Sequence, residues 1–383
     1  MEQRKVLSMI LVIAMFFGLT ACSQTATVEP SPEIGTTPMA VKDPIKIGFL
    51  HIGETGGLAI ETNRLVDYVG EVLGVEVVYG GALTSVDSVI TNAENLIAAG
   101  VDGIIVCNFT EQSMVNIAKM CEENHVYFAQ YFRTLTDKDV IAQLEGNKYY
   151  VGRTYESEYD VAYKLGMELV IAGSKNVALL SYNHGDTTAE TRYKGYRDVF
   201  NENGVKIVAE EWDIAADGGA EVASNLLAAY PEIDGWALIS SSYAPGVRVA
   251  LENAGKGKMP IVGVDFYDSM EEDMRDGYLL AIGGGHQASA FYSFLMVYNA
   301  INGAYNSANF PMDVQDNILV LKNYEDYQNY KKWYVGDVLP YTAEEIKAMT
   351  ITFNPTHTIA DIQKAAKAIS LEDVMTRHEG VVK

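Results

Sequence analysis

The sequence predicts an α/β protein built as two doubly wound parallel-sheet lobes. Three observations carry that expectation. From residue 45 onward, short apolar segments alternate with longer amphipathic ones, the rhythm of parallel strands and the helices that connect them. Glycine follows several of the helical segments, at positions 74, 100, 173 and 204, where a left-handed residue ends a helix at no steric cost. The rhythm then restarts after a polar stretch, 134–148, so two similar units in tandem are the simplest account.

In the first unit the expected strands are 45–50, 75–79, 103–106 and 126–131, with helices over about 62–73, 86–99 and 111–124. In the second, helices are expected over about 156–171, 188–203, 221–229 and 246–253, and strands over 177–181, 206–211, 235–239 and 261–264. A strand around 278–283, a helix from about 287 to 302 and a strand at 318–321 follow. Beyond Asn323 the chain is acidic and aromatic, with Tyr324, Tyr327, Tyr330, Trp333, Tyr334 and Tyr341. This extension, 324–383, reads as mostly helical, with its rings anchoring it to the body.

The N-terminus predicts the compartment. Arg4 and Lys5 precede an uncharged apolar run over 6–19, too short to span a bilayer but suited to the core of a signal peptide. It ends in Leu19-Thr20-Ala21-Cys22, which resembles the lipobox of bacterial lipoproteins. That resemblance implies a signal peptide over 1–21, cleavage before Cys22, and a diacylglycerol on its sulfur. An ordinary secretory signal that happens to contain a cysteine is the alternative. Residues 22–43, rich in Ser, Thr, Pro and Ala, read as a flexible tether.

The chain has 383 residues, 28 Lys+Arg against 51 Asp+Glu, and a formal net charge of -23. Such acidity excludes nucleic acid as a partner, because phosphates need a basic footprint. It also argues against a polybasic membrane contact. No phosphate loop, dinucleotide fingerprint or nucleophile elbow appears. The six His residues show no paired metal spacing, so neither a metal nor a cofactor is expected. Cys107 and Cys121 match no zinc or redox motif and read as buried thiols, with a disulfide left open. The run Gly283-Gly284-Gly285 predicts a close approach of backbone to a ligand or to the opposite lobe.

Open parallel sheets bind ligands beyond the carboxyl ends of their strands, and two such lobes make the cleft between them the default site. Position alone then selects His51, Glu54, Asn108, Arg133, residues 182–184, Trp212, Asp213, residues 240–242 and 265–267, His286 and Gln287.

Three segments carry a wider resemblance. They are Leu96-Ile97-Ala98-Ala99-Gly100-Val101-Asp102-Gly103-Ile104-Ile105-Val106, Asn225-Leu226-Leu227-Ala228-Ala229-Tyr230-Pro231-Glu232-Ile233-Asp234, and Pro260-Ile261-Val262-Gly263-Val264-Asp265 followed by Asp276-Gly277. In this order, behind a lipobox, the chain from 45 to about 321 resembles the type I periplasmic binding proteins of sugar ABC importers, the ribose- and galactose-binding group. The resemblance implies two lobes joined by three crossovers and closing on one ligand. The N-terminal lobe is expected over 44–150 plus about 287–317, and the C-terminal lobe over 151–286 plus about 318–323. The related LacI-type repressors carry a DNA-binding helix-turn-helix where this chain has a signal peptide, so a regulator is not the expectation.

The resemblance also implies site residues. Asp265 stands where the family uses an Asp to accept hydrogen bonds from sugar hydroxyls, Arg133 where an Arg ends the fourth strand, and Asn108 where an Asn follows the third. A cap, an ion pair and a turn are the respective alternatives. The departures are Phe132 in place of an Asp, Glu190 in place of an Arg with Arg192 two residues on, Ser240 for an Asn, and Gly285 for a Gln with His286 and Gln287 adjacent. The usual aromatic pair after the first strand is missing, which leaves Phe132, Trp212 or Tyr267 to stack on a sugar face.

The expectation is therefore a monomeric, lipid-anchored, extracytoplasmic solute-binding protein. It would capture a small polar ligand, a sugar in the leading case, and deliver it to an ABC permease in the membrane. A receptor reporting to a sensor kinase is the alternative. A carbohydrate-active enzyme, with Glu54 and Asp265 as its carboxylates, is the remote one.

Overall fold

The computed structural model describes residues 44–379, apart from 52–56, 82, 84, 109, 305–309 and 338. Cys22, the signal peptide, the tether and Glu54 lie outside the described residues.

The first run of elements is β1 (Lys46–Leu50), α1 (Gly57–Leu73), β2 (Glu76–Tyr79), α2 (Val86–Ala98), β3 (Gly103–Cys107), α3 (Glu111–Asn124), β4 (Tyr127–Tyr131), α4 (Lys138–Glu145) and β5 (Tyr150–Glu156). The second is α5 (Glu158–Ala172), β6 (Asn176–Leu180), α6 (Thr187–Asn203), β7 (Lys206–Glu211), α7 (Gly219–Ala229), β8 (Gly235–Leu238), α8 (Ala244–Asn253), β9 (Ile261–Val264), α9 (Met270–Asp276) and β10 (Leu279–Gly284). Then come α10 (Gln287–Asn299), β11 (Met312–Asp316) and β12 (Leu319–Leu321). The extension holds α11 (Tyr324–Trp333), α12 (Ala343–Ala348), α13 (Ile359–Ala368) and α14 (Leu371–His378).

Two six-stranded sheets result, ordered β11-β5-β4-β3-β1-β2 and β12-β10-β9-β8-β6-β7. The first is parallel throughout. The second is parallel except for β12, which runs antiparallel to β10 at the edge. Strands buried on both faces need apolar side chains at every position, and β3 shows the consequence. Ile105 and Cys107 join one core, while Ile104 and Val106 join the core on the opposite face. Cys121 belongs to that opposite core too, so the two buried thiols sit in different cores, and burial pushes the Cys121 thiol up.

The chain passes between sheets three times: from β5 into α5 at 156–158, from β10 into α10 at 285–287, and from β11 into β12 at 316–319. Every residue of α10 is buried, as an all-round apolar helix requires, and α10 packs on β3, β4 and β5 of the first sheet. Because β5 also belongs to the first sheet, the first crossover falls after Glu156 rather than at 150. The polar stretch 134–148, read from sequence as a connection, contains α4, whose Asp137 side chain caps Asp139 and Val140. Residues Met312–Asp316 form a strand the sequence reading did not anticipate.

Helix stops sit where glycine predicts them at Gly74, Gly100, Gly173, Gly204 and Gly277, all with positive φ. α3 instead ends on His125 at φ 59°, and α7 on Tyr230 before Pro231. Two of the three glycines pack within their own lobe, and Gly285 lines the cavity that holds Asp265 and His286. A Cβ on Gly283 would strike Val161 at 2.5 Å, one on Gly284 would strike the Phe266 ring at 2.5 Å, and Gly285 has φ +88°.

Candidate functional site

The two innermost strand ends of the site share a backbone device. The residue immediately after β4, Phe132, has φ 75°, and the residue immediately after β9, Asp265, has φ 79°. β4 and β9 hold the same place in their sheets. Non-glycine residues in this left-handed region are strained and persist only where their surroundings hold them.

Asp265 is held by charge. Arg192, buried on α6, donates from one terminal nitrogen to Asp265 Oδ2 at 3.1 Å and from the other to Oδ1 at 3.3 Å. Its Nε donates to Glu158 Oε2 at 2.6 Å, and the backbone carbonyl of Ile239 accepts from it at 2.9 Å. The fork is thereby fixed from three sides, the geometry that favours arginine for carboxylate recognition. His286, in the second crossover, places Nε2 3.1 Å from Asp265 Oδ1 and Nδ1 2.6 Å from Glu156 Oε2.

These contacts sort the protonation states. Burial raises the Asp265 carboxyl, but Arg192 and His286 outweigh it and hold the group well below the usual carboxylate range. Burial lowers His286, yet Glu156 and Asp265 carry it up to about 10, so it is an imidazolium. Glu156 is pushed up to about 7, by burial and with His286 opposing. Asp316 pairs with Glu156 across β11 and β5, and burial beside that carboxyl raises it far above its ordinary value. The Asp265 side chain, 37% exposed against 2% for Arg192 and 4% for His286, is the outlet of the network: an ionised, acceptor-only group with one acceptor site left open, on Oδ2.

The first lobe supplies a different chemistry. His51, after β1, is buried, contacts the Tyr131 hydroxyl through Nδ1 and stacks on Phe49. Burial lowers it to about 4, so it is neutral. Asn108, after β3, is buried and accepts from Gln130 Nε2 at 3.1 Å. The Phe132 amide donates to Ser289 Oγ at 3.0 Å, and its ring meets His286 edge-on at 5.3 Å. Half-buried Arg133 makes no ion pair among the described residues.

Other candidates are already occupied. Trp212 stacks on His184 at 4.2 Å and meets Tyr193 edge-on, so the stacking role expected for it is filled from within the chain. Ser240 caps the turn leading into α8, accepting from the Ser242 amide. The Tyr267 hydroxyl donates to Asp273 at 2.8 Å, leaving only its ring for a ligand. Gln287 is buried and hydrogen-bonds Tyr330. A cavity of about 340 Å³ joins Asp265, Tyr267, His286 and Gln287. No group of three or more His, Cys, Asp or Glu side chains suited to a metal is found among the described residues.

The geometry thus sets one fixed carboxylate, Asp265, at a cavity beside the crossovers of two doubly wound lobes. The periplasmic binding protein domain matches residues 62–304. The chain belongs to that family. The binding protein is 24% identical over 273 residues to a D-ribose/D-allose-binding protein of Pseudomonas aeruginosa, covering 69% of this chain and 82% of that one. It is 25% identical over 194 residues to the ribose import binding protein of Salmonella typhimurium, covering 50% of this chain and 62% of that relative's length. Among solved structures, a periplasmic solute binding protein of Actinobacillus succinogenes with bound D-allose superposes with a TM-score of 0.64 at 22% identity, over 75% of this chain and 100% of that one. The family consists of binding proteins.

Sequence reasoning passed over Arg192, Glu156, Glu158 and Asp316 as site residues. Arg192 had a signal: it lies on the buried stripe of α6 with Ala189, Gly195, Tyr196, Val199 and Phe200, where an arginine needs a buried partner.

Proposed function

We propose that this binding protein is a lipid-anchored extracytoplasmic receptor that closes its lobes on a sugar and presents it to an ABC permease. The observation that carries the reading is the Asp265 carboxylate, fixed and kept ionised by Arg192 and His286 yet open to a ligand. The one acceptor site left on Oδ2 takes a hydroxyl of a polyhydroxylated solute. The ribose and allose named for the relatives are both of this class. Cys22 carries the anchor in this reading, and ligand differential affinity for the closed form couples capture to recognition by the permease.

The test is thermal unfolding of residues 22–383 against pentoses, hexoses, polyols, nucleosides and amino acids. A sugar at 100 times its dissociation constant adds about 2.7 kcal/mol, and the account expects such a rise in Tm with at least one aldopentose or aldohexose. A rise with amino acids alone, or with no compound after refolding to strip retained ligand, rejects the sugar.

A further inference from the structure

The crossovers are not the only connection between the lobes. The C-terminal extension belongs to the main core, where Tyr327, Tyr330, Tyr334 and Tyr341 share one buried cluster with Ile47 of β1 and Leu180 of β6. Followed along the chain, it meets the two lobes in turn. On α11 the hydroxyls of Tyr324 and Tyr327 donate to Glu271 on α9 at 3.3 and 3.0 Å, and the Tyr330 ring meets Phe266 edge-on at 4.9 Å. Those contacts are to the second lobe. Just past α11 the partner changes. The carbonyls of Val335 and Gly336 accept from the two terminal nitrogens of Arg64 on α1, in the first lobe.

Later parts of the extension fasten to the crossovers themselves. The Tyr341 ring stacks on Phe291 of α10 at 4.4 Å, and its hydroxyl lies 2.5 Å from that of Tyr292. In the third crossover the Asn317 amide donates to the Ala366 carbonyl at 3.2 Å.

The two kinds of anchor differ mechanically. A contact at a crossover moves little when the lobes rotate about it. α1 and α9 lie in different lobes and off the crossovers, so the same rotation displaces one against the other. The segment that bridges them is helical from Tyr324 to Trp333 and rises only about 1.5 Å per residue, so it has no slack to give. Its far end is held by a rigid fork of donors that arginine alone presents, set on carbonyls just beyond a helix end.

We propose that α11 and the turn after it form a latch between the lobes, with Arg64 as its catch and Glu271 as its second anchor, which keeps the lobes together in the ligand-free protein. Opening is then a discrete step, the release of one arginine, and not a free hinge motion. The latch also borders the cavity of Asp265 and His286, where Tyr327, Tyr330 and Val335 supply part of the lining, so the same step governs solute exchange. This goes beyond the receptor reading above and does not depend on which solute binds.

The experiment measures the distance between the lobes by pulsed dipolar spectroscopy. It uses residues 22–383 with Cys22→Ser, refolded to strip retained solute. Spin labels are carried on Glu71→Cys of α1 and Glu272→Cys of α9, both at exposed positions, while Cys107 and Cys121 are buried and stay unlabelled. One narrow distance distribution is expected. Arg64→Met is expected to add a second population at distances longer by about 5 Å or more. Glu271→Ala is expected to do the same from the other anchor, and it decides the matter where Arg64→Met does not fold. A broad distribution in the parent overturns the latch, and so does a narrow one that neither variant changes. No solute is present, so a failure here leaves the sugar reading standing, and a solute panel without a sugar leaves the latch standing.

Discussion

The two lobes present the same strand end to the same site and fill it with opposite chemistry. After β4 and after β9 the chain turns through a left-handed, non-glycine residue. In the second lobe that residue is Asp265, surrounded by Arg192, Glu158 and His286. In the first it is Phe132, whose ring meets His286 edge-on, while the strand ends beside it carry the neutral side chains of His51, Asn108 and Gln130. One lobe sets fixed charge at this strand end and the other an aromatic ring. In the proposed receptor the buried ion network and its cost of assembly stay within one lobe and the crossovers, whatever the cleft does.

The comparison breaks most visibly at the arginines. Arg192→Met strands buried Glu158 without a counter-charge and leaves Asp265 with His286 alone, and the expected loss is about 3–5 kcal/mol of stability together with ligand binding. Arg153→Met is its first-lobe counterpart. Arg153 pairs with Asp313, whose side chain is 51% exposed, and its loss is expected to cost about 1 kcal/mol or less. Urea unfolding of both variants checks the contrast, and equal losses would remove it.

The next effect is in pH. His286 titrates near 10 in the fold against an ordinary 6.5, so its stabilisation is complete below about 6.5 and is lost as pH rises through about 10. Glu156 is raised to about 7, so the fold favours its protonated form and gives up stability as pH rises from about 4.5 through 7. Asp265 is depressed, so its contribution is present above about 3.8 and lost only in strong acid. The crossover network is therefore expected to weaken steadily from pH 5 to 10, by an amount on the order of a few kcal/mol. His286→Gln removes the alkaline part of that decline. His51 is neutral in the fold, where burial lowers it to about 4 from an ordinary 6.5, so it costs stability as pH falls below about 6.5; His51→Gln removes that acid-side loss and leaves the profile above about pH 7 unchanged. A parent profile that is flat between pH 6 and 10 would contradict the assignment.

The smallest effect concerns the strained pair. Phe132→Gly relieves a left-handed conformation that costs on the order of 1 kcal/mol, but it loses the ring contact with His286. Phe132→Ala loses the ring and keeps the strain. Gly is expected to be the more stable of the two by about 1 kcal/mol, measurable by calorimetric Tm.

Much of the fold was legible because local physics dictates it. Lys206–Glu211, Glu111–Asn124 and Ile261–Val264 have the bounds their apolar pattern predicts, and the glycine stops follow from backbone sterics. His125 shows the limit, since nothing in its neighbours marks it for φ 59°. β11 reads Met312-Asp313-Val314-Gln315-Asp316 and buries alternate residues, a period-two signal that the charges concealed. The site was half legible. Asp265 and His286 sit at strand ends, where position alone selects them. Glu156 and Asp316 read as ordinary acids at element ends, and only crossovers spanning 130 residues bring His286 onto Glu156. The role of Arg192 likewise depends on contacts 34 and 73 residues away in sequence.

The central claim is that an ionised Asp265, and not merely a hydrogen-bonding group at that position, holds the sugar. Calorimetric titration of Asp265→Asn with the sugar that raises Tm most in the parent tests it directly. The amide keeps the size and part of the acceptor capacity but removes the charge, and the account predicts at least a 100-fold rise in Kd, about 2.7 kcal/mol. A Kd within twofold of the parent, in a variant that unfolds as cooperatively, would contradict it.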